Sequence, residues 1–339
     1  MENFTVAAAV SVLVALAVGA PLYGSNLTIT PTFDSSITSD SNAAAIEGVI
    51  NAAITIYETD FSNPINVTID FQEMTSGLGQ SSTTLYTLPY STFYTAYQTN
   101  ANANHNATAL AALGTSVPNQ TDNPVTGDPS LDVKTADIRA LGIACSCPPI
   151  GGFDGVIGLN TSITFPPQGN TGSTYSLMAT TEHEIDEVLG LGSSLGSSLT
   201  EPQPEDLFRY SSLGARSTFT TTSGAKAYFS ITGASDLAQF NNQVNGGDFG
   251  DWQSNPLPNG VLPEVQDAFA TPGATPQLGV ELIALQAVGY DQIAVPEPSS
   301  LYFFIVALPV FGLFGQFYST GRHLSSMSAQ PGSDAGSFS

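Results

Sequence analysis

The spacing of apolar residues along the chain predicts strands and helices in mixed order. Apolar and polar residues alternate over 27–30 and again over 66–71, which is typical of strands with one buried face. Over 42–57 the apolar residues recur every three or four positions, which predicts a helix. The pattern also predicts helices over 91–100, 135–141 and 281–288, a strand over 153–160 and a hairpin over 217–231. Because strands and helices do not alternate regularly, an α+β fold is favoured over a parallel βα repeat.

The chain begins with an apolar run that has features of a signal peptide. Small apolar residues fill 6–20, and Val18 and Ala20 are small residues at the −3 and −1 positions of a cleavage site. No lysine or arginine precedes the run, although signal peptides normally have one, so a buried strand or helix is the alternative. We expect export and a mature chain that begins at Pro21.

A second apolar run lies near the other end of the chain. Residues 301–318 are long enough to cross a bilayer as a helix, with Pro-Glu-Pro at 296–298 before them and Arg322 after them. This order resembles the PEP-CTERM sorting signal of Gram-negative bacteria, which implies processing by a membrane enzyme and a location outside the cytoplasm. An ordinary C-terminal membrane anchor is the alternative. The predicted organisation is a signal peptide (1–20), a main domain (21–294), a sorting and transmembrane segment (295–324) and a polar tail (325–339).

The charge balance narrows the classes of function. The 339 residues include 29 acidic and 6 basic side chains, for a net charge of −23. So acidic a surface repels phosphate backbones and anionic lipid headgroups, which argues against nucleic-acid binding. The only cysteines are Cys145 and Cys147. They are interpreted as a disulfide, which an oxidising compartment favours, with a soft-metal pair or free thiols as the alternatives.

The segment over 182–190 contains the residues best suited to chemistry. On a helix, His183 and Glu187 lie one turn apart on the same face, and Glu184 follows His183 directly. This is the layout of the zinc-protease helix His-Glu-x-x-His, with Glu187 in place of the second histidine and Glu184 as the general base. Histidine and carboxylate ligands together are normal for catalytic Zn2+. The alternative is an acidic amphipathic helix that binds no metal.

This helix is also part of a wider resemblance. Residues 183–190 and 204–210 resemble a family of bacterial secreted zincin-like metalloproteases, many of which carry a PEP-CTERM tail. The resemblance implies a zincin-like fold, in which a mixed twisted sheet packs on helices beside an active-site helix. It also implies a Zn2+-dependent peptidase with a polypeptide substrate. In such a fold the strand over 153–160 is expected at the edge of the sheet, where substrate binds. Further family-like stretches lie at 77–81, 139–142, 247–252 and 285–291.

The third zinc ligand is expected to be a carboxylate, because catalytic zinc usually has three protein ligands and no histidine lies between His183 and His323. A Gly/Ser-rich stretch after the helix lets the chain fold back beneath it. Asp206 is preferred to Glu201 and Glu205 because it opens one of the family-like runs.

Two neighbours of Asp206 complete the predicted site. Arg209 is expected to contact Asp206 behind the metal, and Tyr210 is a candidate to hydrogen-bond the developing oxyanion. The alternative is that Asp206 and Arg209 form an ion pair at the surface. Downstream, Asp248 and Asp251 with Asn245 suit either a calcium site or a turn, and the turn is favoured because the loop does not match an EF-hand.

The sequence therefore predicts a secreted or surface-associated zinc peptidase, monomeric, in which Glu184 takes a proton from the attacking water. A second function, of a different class, remains open: a non-catalytic extracellular surface or matrix protein on the same scaffold. Metal content distinguishes them, since about one zinc per chain is expected of the peptidase alone.

Overall fold

The computed structural model describes residues 26–104, 107–114, 121–147, 151–195, 201–212, 215–216 and 225–293. Its helices are α1 (Ser35–Thr38), α2 (Ala43–Asp60), α3 (Tyr90–Asn104), α4 (Ala107–Gly114), α5 (Thr135–Ala140), α6 (Leu177–Leu189) and α7 (Val280–Val288). Its strands are β1 (Thr28–Phe33), β2 (Asn66–Glu73), β3 (Gly79–Thr83), β4 (Leu85–Pro89), β5 (Ser130–Lys134), β6 (Gly155–Leu159), β7 (Thr164–Phe165), β8 (Tyr175–Ser176), β9 (Arg209–Ser212), β10 (Ala215–Arg216), β11 (Tyr228–Phe229) and β12 (Ala238–Gln239). Short 3-10 helices cover Thr161–Ile163 and Pro204–Phe208.

Most elements predicted from the hydrophobic pattern are present in the structure. The four predicted helices correspond to α2, α3, α5 and α7, and the three predicted strands to β1, β2 and β6. Cys145 and Cys147 are joined by a disulfide bond. The hairpin predicted over 217–231 lies partly outside the described residues, and its described strand, β11, pairs with β9 and β12. The predicted signal peptide (1–20) and C-terminal segments (295–339) also lie outside the described residues.

The fold class predicted from the sequence is wrong. The strands do not form one mixed sheet; they divide into four small sheets, in a mixed α/β structure with seven α-helices among the described residues. Within the described ranges, no helix is both long and apolar enough to cross a membrane. Several strands are only two residues long. A pattern of alternating apolar residues needs a longer strand to specify its partner and register, so the sequence pattern does not determine how these strands pair.

The largest sheet beside α6 has the strand order β1-β2-β6-β3. Strands β1, β2 and β6 are parallel, and β3 runs antiparallel to β6. The strand predicted at the edge of the sheet is therefore β6, an interior strand, and this prediction is wrong. The edge beside the helix is β3 instead. Its sequence, Gly-Gln-Ser-Ser-Thr, is small and polar, so apolar alternation does not reveal it.

Helix α6 is well specified by its own residues. Ser176 caps its N-terminus, where Oγ accepts a hydrogen bond from the backbone N–H of Ala179 at 3.2 Å. Ile185, Val188 and Leu189 are fully buried, and the helix packs between α2 and the sheet strands β3 and β6. The helix is thus held by core packing on one side, which leaves another face for polar side chains.

A buried lysine fixes the other end of this helix. Lys134, at the end of β5, donates hydrogen bonds from Nζ to the backbone carbonyls of Glu187, at 2.6 Å, and Leu191. Carbonyls at a helix C-terminus lack intrahelical hydrogen-bond donors and carry partial negative charge. The Lys134 ammonium group supplies both hydrogen bonds and a compensating positive charge. Lys134 therefore fixes the backbone of the turn that contains Glu187.

Close packing between β6 and α6 depends on Gly155. A Cβ atom at this position would lie 2.8 Å from Cγ1 of Val188 and closer still to Cγ2. Such an approach is far below van der Waals contact, so no side chain fits unless the helix or the strand moves.

We predict that Gly155→Ala lowers the free energy of unfolding by about 1–3 kcal/mol, because the added methyl group overlaps Val188. Urea unfolding measures the change. Val188→Ala removes the obstructing methyl groups, so the double variant should lose less stability than the sum of the two single variants. Strictly additive costs would contradict this packing.

Candidate metal centre

Three side chains meet beside strand β3, at the edge of the β1-β2-β6-β3 sheet, and could hold a metal ion. They are His183 and Glu187, one turn apart on α6, and Asp251. Asp251 lies in a loop directly before Trp252, a residue that forms isolated β-bridges with Phe240 and Asp267. Their ligand atoms all lie within 4.8 Å of one another. Nε2 of His183 is 3.8 Å from Oε1 of Glu187 and 3.8 Å from Oδ1 of Asp251. No other group of three or more such side chains is found in the described part of the chain.

Each of the three side chains is oriented by a neighbour. Nδ1 of His183 lies 3.0 Å from the carbonyl oxygen of Val265, a contact that suits a protonated Nδ1 and leaves Nε2 for a metal. Oε2 of Glu187 accepts a hydrogen bond from Ser81 of β3 at 2.6 Å. Oδ1 of Asp251 accepts one from the side-chain amide of Gln266 at 3.0 Å. Such supporting contacts are typical of metal ligands and reduce the ordering that binding requires.

The charges of the group favour a bound cation. Burial alone would lower the pKa of His183, but the carboxylates of Asp251, Glu184 and Glu187 and the Val265 carbonyl raise it to about 10. Burial, with Glu187 nearby, raises the pKa of Glu184 well above its usual range. Burial also raises the pKa of Asp251 to about 7, although His183 opposes that shift. Several carboxylates compete for protons in one small volume, and a cation would relieve their mutual repulsion.

The loop that contains Asp251 is held close to the end of α6. Gly250 approaches Gly192 so closely that a Cβ at Gly250 would lie 2.6 Å from the Cα of Gly192. The Arg209 guanidinium donates a hydrogen bond from Nη2 to the carbonyl of Phe249 at 2.5 Å. Two glycines and one arginine therefore set where Asp251 lies.

Asp206, predicted as the third ligand, is placed elsewhere. Its carboxylate accepts hydrogen bonds from Ser193 Oγ at 2.7 Å and from the backbone N–H groups of Ser194 at 3.3 Å and Gln203 at 3.1 Å. It also pairs with Arg209, whose Nε lies 3.2 Å from Oδ1. As predicted, the chain after α6 returns so that Asp206 lies close to the end of the helix. Its carboxylate, however, contacts Ser193, Ser194 and Arg209 instead of the candidate metal group. The pair with Arg209 is buried, contrary to the surface alternative.

Tyr210, predicted to contact an oxyanion, is also placed away from the group. It lies on β9 against Gly233, where a Cβ would come within 2.6 Å of its ring, and it lines neither cavity beside His183. The guanidinium of Arg216 lies 5.0 Å from the centre of its ring. Of the five predicted site residues, the structure brings together His183, Glu184 and Glu187.

Glu184 faces a cleft made of two adjoining cavities, of about 440 and about 430 Å3. Both are lined by His183, Glu184 and Gly79, and the second also by Glu187 and Asp251. A Cβ at Gly79 would lie against Oε1 of Glu184 and 2.8 Å from Cγ2 of Thr180. Oε2 of Glu184 is buried without a hydrogen-bond partner. The lack of a side chain at Gly79 therefore leaves room for this carboxyl group.

Comparison of the chain with protein-family models, with curated proteins and with solved structures gave no match.

The sequence analysis missed the role of Asp251, although it considered the residue for calcium or a turn. The signal available was weak: an acidic residue in a Gly-rich run, followed by the only tryptophan of the chain. Trp252 is buried and its Nε1 donates a hydrogen bond to Glu281 at 3.2 Å, so the tryptophan anchors the loop.

We predict that Asp251→Asn weakens metal binding more than about 100-fold, because it removes a ligand rather than a residue behind one. Asp206→Asn should weaken binding by no more than about 10–100-fold but lower the free energy of unfolding by about 3–5 kcal/mol, since Arg209 stays buried without its partner. Chelator competition and urea unfolding measure the two effects. Asp236→Asn, at an exposed position, is the matched control. A larger loss of affinity in Asp206→Asn than in Asp251→Asn would reverse the assignment.

Metal affinity should also depend on pH. A metal must displace the proton of His183, whose pKa is about 10, and below pH 7 also that of Asp251, whose pKa is about 7. Affinity should therefore rise about tenfold per pH unit between 7 and 9, and fall more steeply as pH drops below 7. Chelator competition from pH 6 to 9 measures the slope, and titration calorimetry in buffers of different ionisation enthalpy counts the protons released. Affinity that is independent of pH would contradict the role of His183.

Proposed function

We propose that this protein is a zinc-dependent peptidase. The observation that carries the proposal is the meeting of His183, Glu187 and Asp251 beside the carboxyl group of Glu184 in one cleft. Histidine nitrogen and carboxylate oxygen are both zinc ligands, and catalytic zinc usually has three protein ligands and keeps a further position for water. Two atoms bound to the same zinc at about 2.0–2.2 Å lie no more than about 4.4 Å apart. Nε2 of His183 meets this limit with both carboxylates, at 3.8 Å.

Zinc held by these residues would supply Lewis acidity and lower the pKa of water to near neutrality. The proton acceptor within the chain is Oε2 of Glu184, which is buried, has no hydrogen-bond partner and belongs to a residue that lines the cleft. Glu184 would hold that proton until the leaving amine takes it. The residue thus serves first as base and then as acid.

An extended peptide is the substrate class that suits the cleft. Strand β3 is the edge of its sheet and pairs with β6 on one side, and its first residue, Gly79, lines both cavities. The edge of a sheet offers backbone N–H and C=O groups to which another extended segment can add as a strand. Such addition would lay a peptide bond alongside Glu184 and His183.

We place this activity outside the cytoplasm, in a secreted or surface-associated protein. The support is in the sequence: the apolar run over 6–20 with its small-residue cleavage site, and the resemblance of 296–322 to a sorting signal. A processing enzyme that acts on the C-terminal segment is then the expected partner besides the polypeptide substrate.

We predict that Glu184→Gln retains the metal and the fold but lowers kcat on a casein substrate at least 1,000-fold, because the amide cannot accept a proton. The fold-change is measured with the zinc-loaded full chain, beside metal analysis and circular dichroism. Glu47→Gln, in α2 and outside the lining of the cleft, is the matched control and should be fully active. Equal rates for wild type and Glu184→Gln would refute the role of Glu184. A wild type that binds zinc tightly but cleaves nothing would favour the non-catalytic surface protein.

A further inference from the structure

The larger of the two cavities beside His183 and Glu184 has a wall that is partly apolar and partly polar. Its volume is about 440 Å3, enough for a long side chain rather than for a whole folded partner. The described residues that form the apolar part of the wall include Ile163, Tyr175, Ala179, Val265 and Phe269.

Besides Glu184, two acidic residues line this cavity, Glu264 and Asp267. Asp267 is only 4% exposed. Its Oδ2 accepts a hydrogen bond from the backbone N–H of Glu264 at 3.1 Å, whereas its Oδ1 is buried and has no hydrogen-bond partner. Leaving a buried acceptor unsatisfied is unfavourable, and more so when it is charged. The cavity therefore needs a hydrogen-bond donor that the surrounding residues do not provide.

The missing donor is not supplied by a basic residue or by a second metal group. None of the described residues that line the cavity is a lysine or an arginine. Within the described residues the single group suited to a metal is His183 with Glu187 and Asp251, and it includes neither Glu264 nor Asp267. A bound molecule with a hydrogen-bond donor would satisfy Oδ1 of Asp267.

We propose that this cavity binds an arginine or lysine side chain of the polypeptide substrate, with Asp267 as the residue that determines this specificity. The inference rests on the proposed peptidase function. The methylene stem of a basic side chain packs favourably on an apolar wall such as Val265 and Phe269, while its charged end satisfies Oδ1 of Asp267. Glu264 adds a second carboxyl group to the same wall. A carboxylate in the specificity pocket is how some serine proteases select basic residues.

Cleavage of matched peptides tests the specificity. The zinc-loaded full chain is given quenched fluorescent peptides that differ only in carrying Arg, Lys, Gln or Leu at each position flanking the cleaved bond. Arg or Lys at one position should raise kcat/KM about 10- to 100-fold over Gln, the range expected of a hydrogen bond to a charged group. Asp267→Asn should remove this preference, and the fold should be retained because asparagine still accepts from the N–H of Glu264. Asp236→Asn is the exposed control of the same charge change.

Binding measured without turnover separates this proposal from the proposed function. N-acetyl-argininamide should bind wild type, and bind Asp267→Asn at least tenfold more weakly, by titration calorimetry. If casein is not cleaved but this difference in binding is found, the cavity assignment stands and the peptidase proposal fails. If casein is cleaved with no preference for basic residues and argininamide does not bind, the cavity assignment is overturned and the peptidase proposal stands. Should Asp267→Asn fail to fold, Glu264→Gln decides instead: it should lower the preference for Arg about threefold or more, and an unchanged preference overturns the assignment.

Discussion

The buried ion pair of Asp206 and Arg209 joins the two parts of the chain that form the metal group. Asp206 binds the segment just after α6 through Ser193 and Ser194, and Arg209 binds the carbonyl of Phe249, two residues before Asp251. Both members of the pair are buried, so either one alone would be a buried charge without compensation. The pair therefore does more to fix geometry than to add stability, and the position of Asp251, the third side chain of the candidate metal group, depends on it.

The second constraint is electrostatic. The carboxyl groups of Glu184, Glu187 and Asp251 crowd around the single imidazole of His183, and the nearby Lys134 ammonium is already bonded to backbone carbonyls. Without a cation, such a group must retain protons, as the raised pKa values of Glu184 and Asp251 indicate. The same crowding that makes the metal-free site costly makes a divalent cation favourable, because one ion compensates several charges at once.

The sequence predicts those parts of this site that depend on residues close together along the chain, and not those that depend on contacts between distant residues. His183 and Glu187 are predictable because helix geometry alone places residues four apart on one face. Asp251 is not, because its position depends on the close approach of Gly250 to Gly192 and on Arg209, which no local pattern encodes. The fold shows the same division: individual helices and strands follow from apolar periodicity, whereas β3 is polar and the division into four sheets is a matter of pairing. The predictions of an edge strand at 153–160 and of a single mixed sheet were wrong because both depend on strand pairing.

The scarcity of basic residues in the chain acquires a meaning if the cavity selects them. Only 6 lysines and arginines occur in 339 residues. Lys134 and Arg209 are buried, and Arg139 is bonded to Asp154 at 2.6 Å. A peptidase that requires a basic side chain beside the cleaved bond would find few accessible sites on other copies of itself. The acidic composition would thus protect the protein from self-cleavage, while its negative field attracts the basic segments of other polypeptides. One compositional property would serve both needs, which a selectivity for acidic or small residues would not allow in this chain.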